Sequence, residues 1–300
     1  MSAIEARGLT KSFGGRPACR EVSFSVERGE VFGLLGPNGA GKTTTLRMLA
    51  GLYAPDAGSA TVAGIEIAPG RPGGPDLRAR IGLLTEQPGF YDRLTARENL
   101  TYFAALQGAR AGRVDPLLDR FQLRSHADRP FAELSRGMKQ KLAIARALVH
   151  EPEVIFLDEP TVGLDPEATR EVRSVVAELA AEHATIVLCT HHLDEVERLC
   201  SRAAFIAGRM LAVHEVRKLD LLRIELAAPF AVPGGVRALC KTLRAEGLVL
   251  LVEPGVEVPD LISALVQAGA RLASVVPHRD PLEEAWLQLL AEAREQGLTA

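Results

Sequence analysis

The octapeptide Gly36-Pro-Asn-Gly-Ala-Gly-Lys42-Thr43 fits the pattern G-x-x-x-x-G-K-[ST] in full. That spacing suits phosphate binding. Its glycines let backbone N–H groups approach phosphate oxygens with no Cβ in the way. A helix expected from about Lys42 adds the positive end of its dipole. Lys42 then reaches β- and γ-phosphates, and the hydroxyl of Thr43 is a ligand for Mg²⁺, with Thr44 following it. Farther along the chain, Asp158 and Glu159 stand side by side. Asp158 suits a metal held through water, and Glu159 suits a general base polarising an attacking water. His191 and His192 form the third group able to meet a phosphate or a water.

Each of the three groups directly follows a short apolar run: Val31–Leu35, Val154–Leu157 and Ile186–Cys189. Continuous apolarity, rather than alternation, predicts strands buried on both faces of a parallel sheet. In open α/β sheets ligands bind beyond the carboxyl ends of such strands. The glycine loop, the Asp158-Glu159 pair and the histidines are therefore expected at one edge, around one ligand.

The stretch between the first two of these strands reads as largely helical. Thr95-Ala-Arg-Glu98 has capping-box spacing and predicts a helix through Leu100, Phe103 and Leu106. A second helix is expected from about Met138 to Val149, ending before Pro152, and Pro69–Pro75 reads as a loop. After Arg209 the character changes. Apolar runs at Leu222–Leu226, Leu248–Val252 and Leu272–Val276 alternate with helical patterns at Val236–Glu246, Asp260–Ala268 and Pro281–Ala293. This predicts a first domain over residues 1–216 and a small α/β accessory domain over 217–300.

The bulk numbers exclude several classes. The 300 residues carry 35 basic and 38 acidic side chains, a net of -3, so nothing points to nucleic acid as a partner. Four cysteines lack C-x-x-C spacing, which argues against a zinc or dithiol site and suits a reducing cytoplasm. The N-terminal segment lacks a signal-peptide core, and no apolar run approaches the roughly 18 residues of a membrane span. A place at a membrane would need a partner to hold the chain there.

Residues 3–210 resemble the nucleotide-binding domain of ATP-binding-cassette (ABC) transporters. Leu134-Ser-Arg-Gly-Met-Lys-Gln140 is similar to the LSGGQ signature and lies just upstream of Val154–Pro160, as the family order requires. Gly163-Leu-Asp165-Pro166 resembles the D-loop, Thr190–Glu195 the switch-histidine segment, and Lys11-Ser-Phe13 places an aromatic where the family stacks adenine. The resemblance implies a P-loop NTPase with a RecA-like, mostly parallel sheet core and a helical subdomain near residues 86–150. It implies ATP and Mg²⁺ as ligands. The catalytic residues are then Lys42, Glu159 and His191, with His192 as the alternative to His191. ATP contacts fall on Phe13, Gly36, Pro37, Asn38, Gly39, Ala40, Gly41, Lys42, Thr43 and Thr44. Mg²⁺ ligands fall on Thr43, Asp158 and Glu86. Ser135, Gly137 and Asp165 serve an ATP held by a second, opposed subunit, an identical chain or a paralogue.

Two positions depart from the family pattern. The Q-loop glutamine aligns with Glu86, a carboxylate that cannot donate like an amide, and Gln87 stands one place late. In the signature, Arg136 replaces the first glycine and Met138 the glutamine, while Ser135 and Gly137 are kept. The segment after the Q-loop, Gly89-Phe-Tyr91, corresponds to the surface that receives membrane subunits, with ordinary core packing as the equal alternative for Phe90 and Tyr91. Pro281–Leu287 resembles the segment that closes many ABC-2 exporter ATPases. The implied function is an ATPase on the cytoplasmic face of the membrane, driving separate polytopic subunits in export. A soluble ABC ATPase or a nucleotide-dependent regulator is the alternative.

Overall fold

Two long strands, β1 (Ser2–Phe13) and β2 (Arg16–Glu27), open the chain as an antiparallel hairpin. The computed structural model describes residues 2–85, 89–110, 112–216, 222–277 and 281–295. After the hairpin come β3 (Val31–Leu35), α1 (Lys42–Leu49), β4 (Ala57–Val62), β5 (Ile65–Ile67), α2 (Gly74–Arg78) and β6 (Ile81–Leu84). Three helices follow, α3 (Ala96–Leu106), α4 (Val114–Arg120) and α5 (Arg136–Leu148), then β7 (Val154–Asp158), α6 (Pro166–Ala181), β8 (Thr185–Thr190), α7 (Leu193–Leu199), β9 (Arg202–Ile206) and β10 (Met210–Glu215).

The three strands expected from apolar runs lie in one six-stranded sheet ordered β10-β9-β3-β8-β7-β6. All of its pairings are parallel except β10 with β9. Every residue of β3, β7 and β8 is buried. Phe32, Leu34 and Phe156 have no exposed surface, and burying a side chain of this size contributes about 1.5–3 kcal/mol. β3, β8 and β7 are direct neighbours, so the loops that follow them emerge side by side at one sheet edge.

The sequence reading missed the second sheet, β2-β1-β4-β5, which is antiparallel throughout. It also missed β6, which lies inside the stretch read as largely helical. β6 is only four residues long, too short for a periodic signal. β1 breaks its alternation with register shifts between Ala6 and Leu9 and again to Lys11. Pro69–Pro75 is not entirely loop, because α2 begins at Gly74. The helix expected near Met138–Val149 starts two residues earlier, at Arg136 behind the Ser135 cap. The capping box before α3 is present, with Thr95 accepting from the Glu98 N–H and Glu98 accepting from the Thr95 N–H.

The chain divides into two compact units, Met1–Val216 with Trp286–Ala300, and Arg217–Ala285. The second unit holds β11 (Leu222–Leu226), α8 (Gly234–Arg237), β12 (Cys240–Glu246), β13 (Val249–Pro254), α9 (Val258–Gln267) and β14 (Leu272–Pro277). Its sheet, β12-β13-β11-β14, is antiparallel. Leu222, Ile224, Leu250 and Val252 pack with Leu261 and Leu265 of α9. The helix expected over Val236–Glu246 does not form as such. Only Gly234–Arg237 is helical, while Cys240–Glu246 pairs with β13 across the two-residue turn Gly247-Leu248. Cross-strand pairing overrode the local helix preference.

The final helix, α10 (Pro281–Glu295), crosses the division. The expected accessory domain ran to residue 300, whereas the second compact unit ends at Ala285. The physical reason is Trp286. Its ring stacks on Phe205 of β9 with centroids 5.2 Å apart and planes 17° apart, and both residues belong to the first unit.

Candidate functional site

Gly36–Gly41 joins the end of β3 to α1, and two of its glycines are required by close approach. A Cβ on Gly36 would lie 2.2 Å from the Ile206 carbonyl oxygen, and one on Gly41 2.4 Å from that of Ala18. Gly41 also has φ 94°, a left-handed conformation that side chains resist. The loop is thus wedged between the ends of β9 and β2. Pro37, Asn38 and Gly39 lie at its more open side and Ala40 is buried, while Thr44 is half-buried in the first turn of α1.

Lys42 is 5% exposed. Its Nζ donates to the carbonyl oxygens of Gly36 at 2.7 Å and Pro37 at 3.2 Å, and lies 3.4 Å from Oε1 of Glu159. The hydroxyl of Thr43 donates to Oδ1 of Asp158 at 3.0 Å. Burial raises the Asp158 carboxyl above its ordinary range, the hydrogen bond from Thr43 opposes that shift, and the neighbouring Glu159 charge adds to it. A hydroxyl beside a carboxylate is a hard-oxygen pair. It fits Mg²⁺, which takes one or two protein ligands and fills its octahedron with phosphate oxygens and water.

Glu159 adopts φ 50°, with its N–H donating to the Cys189 carbonyl at 2.8 Å. A non-glycine residue in that region costs about 1–2 kcal/mol, so the surroundings must hold it there. The turn re-aims the carboxylate towards β8. There Nδ1 of His191 lies 3.0 Å from Oε2 and 3.1 Å from Oε1. His191 is the histidine that meets Glu159. His192 has its ring centroid 4.0 Å from that of His191, and its N–H donates to the Thr190 hydroxyl oxygen.

The remaining expected residues form two further groups. Phe13, at the end of β1, is 46% exposed. It meets Tyr53 edge-on at 5.3 Å, with Lys11 Nζ 5.8 Å from its ring centre. Ser135 caps α5 by accepting from the Met138 N–H, and Asp165 caps α6 by accepting from the N–H groups of Glu167 and Ala168. Gly137 lies where α5 and α6 pack, since a Cβ there would be 2.8 Å from that of Ala168. The structure does not hydrogen-bond Ser135, Gly137 or Asp165 to Lys42, Thr43, Asp158 or Glu159. Arg136, the unusual signature residue, lays its guanidinium over Gly163 of the D-loop segment. Glu86 and Gln87 lie outside the described residues.

A family model described as ABC transporter matches residues 19–162. The chain is 44% identical over 302 aligned residues to a Nod factor export ATP-binding protein I of Burkholderia pseudomallei (strain 1710b), covering 96% of this chain and 97% of that one. It belongs to the ABC transporter ATP-binding subunits. A fluoroquinolones export ATP-binding protein of Mycobacterium tuberculosis (strain CDC 1551 / Oshkosh) is 41% identical over 223 residues, 73% of each chain. A solved dimeric ATP-binding cassette, in a post-hydrolysis state with ADP and Pi, superposes with a TM-score of 0.63 at 26% identity, over 71% of this chain and 99% of that one.

This ABC subunit therefore binds ATP and couples its hydrolysis to transport, and subunits of this family dimerise and pair with membrane subunits. No helix among the described residues is long and apolar enough to cross a membrane. Three residues of the ABC site drew no role from the sequence: Gln140, Thr161 and Glu195. Gln140 and Glu195 sit inside quoted motifs, but a motif does not show which of its residues turn inward. Glu195 is fully buried, and Gln140 Nε2 donates to the Pro160 carbonyl at 2.6 Å.

Proposed function

We propose that this chain is the ATP-hydrolysing subunit of an ABC exporter. Glu159 acts as general base, and Gly36–Thr44 and Lys42 hold the phosphates. One observation carries the catalytic reading: the Glu159 carboxylate is bracketed by Lys42 and His191, directly beside the Thr43–Asp158 pair. A water between that carboxylate and a γ-phosphate held by Lys42 loses its proton to Glu159 as its oxygen bonds to the γ-phosphorus, while the bond from that phosphorus to the β,γ-bridging oxygen breaks and ADP leaves. His191 holds the carboxylate and the phosphate in one geometry. Thr43 and Asp158 hold Mg²⁺, with a Q-loop contribution from Glu86 or Gln87, and the ion supplies charge neutralisation on the phosphate oxygens.

Phe13 supports the adenine, its exposed ring steadied by Tyr53 and Lys11. Ser135, Gly137 and Asp165 complete the site of a second subunit, whose own signature completes this one. That reading is supported by the lack of any hydrogen bond from them to Lys42, Thr43, Asp158 or Glu159 and by the dimer of the solved cassette.

Export is supported by the relatives, which are named for Nod factor and fluoroquinolone export. The chain then works at the cytoplasmic face of the membrane through separate membrane subunits. Their docking surface is the expected segment Gly89–Tyr91 together with the cleft of about 240 Å³ that adjoins it through the Phe90–Phe103 contact, between β6, α3 and α5 and lined by Leu83, Phe103, Leu106, Arg146 and His150. The two aromatics expected here part company. Phe90 packs on Phe131 and Phe103, while Tyr91 is 49% exposed beside Tyr102. The deciding experiment is Glu159→Gln in the purified chain. ATP binding is retained, turnover falls by about 10²-fold or more, and a nucleotide-bound dimer accumulates. Unimpaired turnover in that variant removes Glu159 from the role.

A further inference from the structure

Two sequence motifs, the signature and the switch-histidine segment, converge on the tripeptide Glu159-Pro160-Thr161. From the signature helix α5, the Gln140 amide donates to the Pro160 carbonyl at 2.6 Å. From α7, the carboxylate of Glu195 accepts the Thr161 hydroxyl proton on Oε1. Its Oε2 accepts from the Thr190 hydroxyl at 2.8 Å, and Thr190 Oγ1 in turn accepts the His192 N–H at 3.1 Å. Arg173 of α6 lies 3.4 Å from Oε1 through both Nε and Nη2, and Nη2 pairs with Asp194 at 2.8 Å. Glu195 has no exposed surface.

A carboxylate is an expensive group to bury, and it is tolerated when its oxygens are hydrogen-bonded and its charge is countered. Holding α7 in place does not require one. Val196 and Cys200 of the same segment already pack on β3 at Gly33. What Glu195 adds is direction. One oxygen grips the residue two places after Glu159, and the other grips the residue immediately before His191.

We propose that Glu195 is a positioning residue for hydrolysis, tying the turn that carries Glu159 to the turn that carries His191. Through Thr161 it sustains the left-handed backbone that aims the Glu159 carboxylate, and through Thr190 it sets the register of His191 against that carboxylate. Gln140 braces the same turn from the signature side. A shift of the D-loop segment that begins after Thr161 is thereby transmitted to the switch histidine within one chain. This proposal rests on Glu159 being the general base.

The test uses the purified full chain and Thr161→Val, which keeps the side-chain shape and removes only the hydroxyl, with Thr161→Ser as the conservative control and Glu195→Gln as the partner change. Thr161→Val and Glu195→Gln each lower kcat by about tenfold or more while KM for MgATP stays within about twofold, and Thr161→Ser turns over near the parental rate. In a His191→Ala background, Thr161→Val lowers the residual kcat by a clearly smaller factor than in the parent, because the register between His191 and Glu159 is already lost and only the aim of Glu159 remains to be disturbed. Parental turnover in Thr161→Val overturns the proposal. So does an equal factor of loss with and without His191, which marks a general structural role. Glu159→Gln keeps the two readings apart: normal turnover there removes the general-base assignment itself, whereas a slow Glu159→Gln beside a normal Thr161→Val removes only the role of Glu195.

Discussion

Nδ1 of His191 lies 3.0 Å from Oε2 of Glu159, while Lys42 approaches the other oxygen of that carboxylate at 3.4 Å. One acidic side chain thus joins the loops that follow three adjacent parallel strands, β3, β8 and β7. The contact assigns different weights to the two neighbouring histidines. His191→Ala lowers kcat by about 10²-fold, the loss expected when a group positioned in the transition state is removed, and His192→Ala stays within about threefold. Steady-state ATPase assays on both variants measure this, and an equal loss from His192→Ala transfers the role.

Asp158 predicts a trade between stability and function. Burial raises its pKa above the ordinary 3.8, so the folded chain binds that proton more tightly than the unfolded chain does. Its contribution to stability is fully present below the ordinary value and is lost as pH rises through the raised one. At neutral pH the ionised buried carboxylate is a standing cost. Asp158→Asn therefore raises the Tm of the nucleotide-free chain by roughly 2–4 °C, the shift that 1 kcal/mol produces in a unit of this size. The same variant loses the additional stabilisation conferred by MgATP on the parent. Thermal melts with and without MgATP test both halves, and a lowered Tm without nucleotide contradicts the first.

Phe13 predicts a change in binding rather than in chemistry. Stacking of a base on an aromatic ring is worth about 1–3 kcal/mol, so Phe13→Ala weakens ATP binding about tenfold or more and Phe13→Tyr retains it. The kcat at saturating ATP is unchanged. Fluorescent-nucleotide titration measures the affinity, and equal binding by Phe13→Ala places the adenine elsewhere.

Trp286 predicts a role for the last helix in the first unit. Its ring is 8% exposed and stacked on Phe205. Trp286→Ala destabilises that unit by about 3 kcal/mol, whereas Trp286→Phe keeps most of the stacking. Chemical denaturation read out through ATP binding distinguishes this from loss of the second unit alone, which leaves the binding transition unmoved.

The site was legible in the sequence wherever chemistry depends on neighbours along the chain. Gly36–Thr43 needs its spacing to cradle phosphate, Asp158-Glu159 must follow a strand, and Ser135 caps a helix whose first turn is local. Thr95–Glu98 likewise announced its own capping box. Legibility failed where the deciding partner lies far away. Cys240–Glu246 has a helical pattern, yet β13 offered it a ladder. β5 and β6 are too short to show a period, and β1 is broken by register shifts. Val22, Phe24 and Val26 of β2 do alternate with polar neighbours, a signal that marks a strand without saying which sheet it joins.

The sequence by itself determined the ligand chemistry, because a phosphate cradle, a hydroxyl and a carboxylate are properties of residue type and spacing. Tertiary structure alone decided which groups meet. It turned His191 rather than His192 to Glu159, buried Glu195 between Thr161 and Thr190, and joined Trp286 to Phe205. Those contacts cross 32, 34, 5 and 81 positions in the chain. Whether a long-range pair forms depends on strand order and on the aim of a strained turn, which no local pattern encodes.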